Sequence, residues 1–92
     1  MGSQYRDQKF IEQFCKKIIE IRKAKGIVQE DLVERTGFDI RQIGNIERGI
    51  SNTSISNLAQ IARALGVHPK ELLDFDFEFV ENPPTRKERK GK

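Results

Sequence analysis

At 92 residues and 36% hydrophobic content, the chain is long enough for one small domain, near the lower limit at which a core folds unaided. Its net charge of +3 says little about partners, because residues 1–80 hold twelve basic and twelve acidic side chains and the last twelve residues carry the whole excess. A single cysteine rules out an internal disulfide, a single histidine with no thiol cluster supplies no metal set, and no apolar run approaches the ~20 residues of a membrane span.

The first predicted helix runs from Asp7 to Lys25 and closes at Gly26, since glycine accepts the left-handed conformation favoured at a helix C-terminus. It shows two apolar edges, Phe14, Ile18 and Ile21 at core spacing and Phe10, Ile11, Cys15 and Ile19 beside them. Cys15 belongs to that stripe and is expected to be packed rather than reactive. The opening MGSQYRDQKF has no apolar core of a signal peptide, so a reducing cytoplasm is the expected compartment.

A second helix is predicted from Gln29 to Arg35, with Leu32 and Val33 inward and Thr36-Gly37 as its end. After a tight turn, Asp39 can cap a third helix with Gln42 three residues on. Ile43 and Ile46 then fall inward, while Arg41, Gln42 and Asn45 fall outward. Two short helices joined by a Gly-containing turn form a helix-turn-helix, whose second helix can enter a major groove. The outward types suit base edges: Arg pairs with guanine, and Gln or Asn with adenine. Arg48 at the recognition helix, the unpaired N–H groups that open helix two and the Ser51-Asn52-Thr53-Ser54 loop complete the expected DNA-binding face. A merely solvated helix face is the competing reading of these positions.

Helix four starts near Ser54 and is expected to bury Ile55, Leu58, Ile61, Ala62 and Leu65. Helix five starts with His68 as cap, Pro69 first and Glu71 at the capping-box site, which makes the lone histidine structural. Phe75, Phe77 and Phe79 then alternate with acidic residues in the period of a strand. Such a strand needs a partner, either its own copy in a second subunit, with the rings against the spare edge of helix one, or its own domain. Pro83-Pro84 stops it, and TRKERKGK reads as a solvated basic tail.

From IRKAKGIVQEDLVERTGFDIRQIGNIERG through SISNLAQIARALGVHPKELL, roughly residues 14–73, the chain resembles the Cro and phage-repressor type helix-turn-helix domains, also called the xenobiotic-response-element family. Arg22, Gly26, Gln29-Glu30, Gly37, Ile46-Glu47-Arg48-Gly49 and Ile61-Ala62-x-Ala64-Leu65-Gly66-Val67 carry the resemblance through their joint spacing. It implies a DNA-binding domain, usually dimeric on DNA, with Gln29, Arg41, Gln42 and Asn45 facing the duplex. It also implies an ion pair between Arg22 and Glu47 that ties helix one to the recognition helix. Four positions depart from the pattern. Val28 replaces a capping Thr or Ser, at a cost of about 1 kcal/mol. Thr53 replaces a Pro and Val33 an Ala. Gly44 stands in mid-helix, at a cost of roughly 1 kcal/mol relative to Ala; it gives room for close approach to DNA or is a tolerated weak spot.

The expected fold is all-α: a five-helix, lambda-repressor-like DNA-binding domain over residues 1–74, a short C-terminal β-strand over 75–80 for dimerisation, and a disordered basic tail over 81–92. The expected function is that of a transcriptional regulator, a homodimer on pseudo-palindromic double-stranded DNA, with no cofactor, metal or catalytic residue and no membrane partner. The segment ERGISNTSISNL is similar to restriction-modification controllers. Two alternatives stay open: an antitoxin that caps a toxin with its Phe-rich segment, and a helix-turn-helix used for protein contacts alone.

Overall fold

Capping side chains set where most of the helices begin. In a computed structural model that describes residues 5–85, α1 (Gln8–Ala24) starts where the Asp7 carboxylate accepts the Phe10 N–H at 3.0 Å. Asp39 does the same for Gln42 at 2.8 Å to open α3 (Ile40–Glu47), and Ser54 for Asn57 at 3.1 Å to open α4 (Ile55–Leu65). At α2 (Gln29–Thr36), the Val28 side chain has no oxygen to offer. Half a capping box remains there, because the Asp31 carboxylate accepts the Val28 N–H at 3.0 Å. Gly37 and Gly66 end α2 and α4 at φ of 81° and 74°.

The core is continuous across these elements. Phe14 and Ile18 of α1, Leu32 of α2, Ile43 and Ile46 of α3, Ile61, Ala62, Ala64 and Leu65 of α4, and Leu72 beyond it form one buried cluster. In this arrangement α3 is held between α1 and α2, and α2 also packs on α4. Cys15 is buried as expected and its Sγ–H donates to the Glu12 carbonyl at 3.2 Å. Burial, reinforced by the nearby Glu12 carboxylate, pushes its thiol pKa up, away from thiolate chemistry.

The expected five-helix fold with a C-terminal strand is corrected: among the described residues there are four α-helices and no strand. Where helix five was expected, Pro69–Leu73 forms a 3-10 turn. His68 caps it, its Nδ1 accepting the Lys70 N–H at 3.1 Å. Only five residues separate that cap from Asp74, and the Glu71 N–H closes on the His68 carbonyl at 2.9 Å in the tight i to i+3 pattern of short segments. The turn still delivers Leu72, with no exposed surface, to the core.

Phe75, Phe77 and Phe79 alternate, yet form no ladder. The Phe75 N–H turns back to the Leu73 carbonyl at 3.1 Å, and the helical body offers no sheet edge to template pairing. Ring packing takes its place. Phe10 of α1 meets Phe75 at 5.2 Å and Phe77 at 4.7 Å between centroids, both edge-to-face. Phe79 is left exposed. Ile55, expected inside, is 84% exposed, because it lies in the first turn of α4, ahead of the buried Ile61 and Leu65. Of the tail expected over 81–92, residues 86–92 lie outside the described residues.

Candidate nucleic-acid interface

The site is built on α3, a helix of eight residues with two unlike faces. Ile43 and Ile46 are 2% and 3% exposed, which fixes the rotation of the helix against the body. Its end is locked by charge. Arg22 Nε donates to Glu47 Oε2 at 2.7 Å and Nη2 to Oε1 at 3.0 Å, while Nη1 reaches the Ile27 carbonyl at 3.1 Å. The pair that the resemblance implied is thus present, with side chains 13% and 5% exposed. Gln29 joins it, Nε2 donating to Glu47 Oε1 at 2.8 Å. One carboxylate therefore gathers α1, α2 and α3.

A second lock was missed in the sequence. Arg6 Nη2 donates to the carbonyls of Gly49 at 3.2 Å and Ile50 at 2.7 Å, and Gln8 Nε2 to Gly49 at 2.9 Å. A guanidinium is thereby placed at the negative end of the recognition helix, where cations are favoured. Gly49, at φ 75°, makes the bend that turns these carbonyls toward α1. An Arg before a helix has no periodicity signature; the only hint was the glycine itself.

On the outward face, Arg41 is exposed and its side chain has no hydrogen bond or ion pair with another described residue. Gln42 and Asn45 are half-buried beside it. Asn45 is already engaged, its Oδ1 accepting from Arg48 Nη2 at 2.7 Å and its carbonyl taking the N–H groups of Ile50 and Ser51. Gly44 is buried, and what lies against it is the Arg48 guanidinium. In the loop to α4, Asn52 is exposed, Ser51 is half-buried, and Thr53 turns its Oγ1 inward, where it has no partner among the described residues. Gln29, Arg41, Gln42, Asn45 and Arg48 share the α2–α3 unit; Phe75, Phe77 and Phe79 lie apart on the α1 side. Among the described residues no group of His, Cys, Asp or Glu could hold a metal ion, and no helix is long and apolar enough to cross a membrane.

The helix-turn-helix family profile matches residues 18–72, the span from mid-α1 to the 3-10 turn. The chain belongs to the helix-turn-helix family. Within it, the match is to the Cro and phage-repressor type that the residues resembled. The control protein C.BamHI of Bacillus amyloliquefaciens is 43% identical over 63 residues, 67% of this chain and 78% of its own length. The restriction-modification controller C.AhdI from Aeromonas hydrophila is a structural match at 39% identity and TM-score 0.65, over 67% of this chain and 94% of that one. The controller C.Esp1396I, solved as a tetramer with its natural 35 base-pair operator, matches at 32% identity and TM-score 0.62, over 71% and 96%. An antitoxin role draws no support from these relatives.

Proposed function

We propose that this helix-turn-helix protein is a sequence-specific transcriptional regulator of the restriction-modification controller kind, acting as a dimer on a pseudo-palindromic operator. The observation that carries the reading is Arg41, whose side chain is unpartnered among the described residues, on a helix whose opposite face is fixed by Ile43, Ile46 and the Glu47 cluster. Preorganisation of this kind leaves little side-chain and helix ordering to be done on binding. Two half-sites one helical turn, about 34 Å, apart match a two-fold dimer of such domains.

In this reading Arg41 pairs with guanine, and Gln42 and Asn45 with adenine. Asn45 can do so without releasing Arg48, because an amide oxygen has two lone pairs and its NH2 stays free. The first-turn N–H groups of Gln29 and Glu30 lack intrahelical acceptors and suit phosphate, as do Ser51 and Asn52. Phe77, exposed at the edge of the Phe10 cluster, and the exposed Phe79 are the contact offered to a second subunit. Selection from a random duplex pool tests the proposal: a two-fold-symmetric motif is expected, and an unenriched pool would overturn it.

A further inference from the structure

Arg48 is the C-cap of α3, but its side chain runs back along the helix. A Cβ placed on Gly44 would lie 2.9 Å from Arg48 Nη1, 3.5 Å from Cζ and 3.6 Å from Nη2, so the guanidinium occupies the space where a side chain at 44 would stand. Its Nη2 is held there by Asn45 Oδ1 at 2.7 Å. Residue 44 lies three positions after Arg41 on the same helix, so the seat brings the cation of Arg48 one turn back, toward the outward face. Gly44 has no positive φ; its backbone is ordinary helix that any residue adopts. The conformational freedom of glycine is therefore not what the position uses.

We propose that Gly44 is a positioning residue that seats the Arg48 guanidinium against Asn45, so that Arg48 and Asn45 read DNA as one unit. This rests on the DNA-binding reading above and assigns it a further specificity determinant. The alternative, a glycine merely tolerated in mid-helix, makes a different prediction, because Ala is the better helix former. At 44 the atoms nearest an Ala methyl all belong to the far end of the flexible Arg48 side chain, so the fold absorbs it by moving that side chain.

The test uses the full chain, the operator selected by the parent protein and its single-base variants. Gly44→Ala should melt at least as high as the parent, yet lose about tenfold or more in operator affinity. Its base preference should relax at the same base pair that Arg48→Ala relaxes. The double variant should bind no worse than Arg48→Ala alone, since the seat has no function without its occupant. A Gly44→Ala protein with the parent's affinity and base preference overturns the proposal. So does an Arg48→Ala protein that weakens equally on every sequence, which would make Arg48 a phosphate contact. A parent that selects no operator would overturn the functional reading itself, a result distinct from both.

Discussion

Glu47 and Arg22, twenty-five positions apart, meet through two parallel hydrogen bonds of 2.7 and 3.0 Å, and the same carboxylate also accepts from Gln29. Bidentate geometry of this kind is both stronger and more directional than a single contact. Because the recognition helix ends on this carboxylate, its pose relative to α1 and α2 depends on it.

Removing one partner strands the other charge in a site where both side chains are largely covered. Either Arg22→Ala or Glu47→Ala should therefore lower unfolding free energy by about 3–5 kcal/mol, against the 0–1 kcal/mol of an exposed pair. Urea denaturation followed by circular dichroism measures this. Variants with the parent's midpoint would show that the pair contributes nothing.

Arg41→Ala should cost about 1–3 kcal/mol on the selected operator and less on random duplex, because a lost base contact is a loss of discrimination. Equal losses on both would reassign Arg41 to phosphate. Gln42→Ala and Asn45→Ala should relax preference at neighbouring positions of the same half-site.

Gln29 has two tasks, a hydrogen bond inside the Glu47 cluster and a place at the open N-terminus of α2. Gln29→Ala should lose about 0.5–1.5 kcal/mol of stability and weaken binding alike on all sequences. Anisotropy titrations on operator and random duplex check this, and a selective loss on the operator would contradict it.

Deleting residues 75–92 removes Phe75 and Phe77 from Phe10 and takes Phe79 off the surface. The shortened chain should be less stable, monomeric in light scattering, and steeply weaker on a two-half-site operator. A full chain that is monomeric at tens of micromolar, or a truncated one that stays dimeric, would contradict the dimer.

Much of this arrangement was legible in local chemistry. Asp7, Asp39 and Ser54 start helices where a short side-chain oxygen precedes an amphipathic run, and Gly37 and Gly66 end them. Ile43 and Ile46 fell inward because helical periodicity decides it. What escaped depends on contacts distant in sequence. Arg6 reaches carbonyls more than forty residues away, and no spacing encodes that. The strict alternation of Phe75, Phe77 and Phe79 has strand period, but a period describes one face and not what meets it. With Phe10 within reach, the rings packed on a helix instead. Arg48 on Gly44 was hidden for a related reason: a glycine in mid-helix shows that space exists, and only the fold shows what fills it.

The most direct test is the ratio of dissociation constants for random duplex and selected operator, measured on the full chain at one physiological salt concentration. Specific regulators separate the two by on the order of a thousandfold or more. That ratio is expected here, falling sharply in Arg41→Ala. A ratio near one for the parent protein would mean that the helix-turn-helix binds only the charge of the backbone, or serves another partner, and would contradict the account.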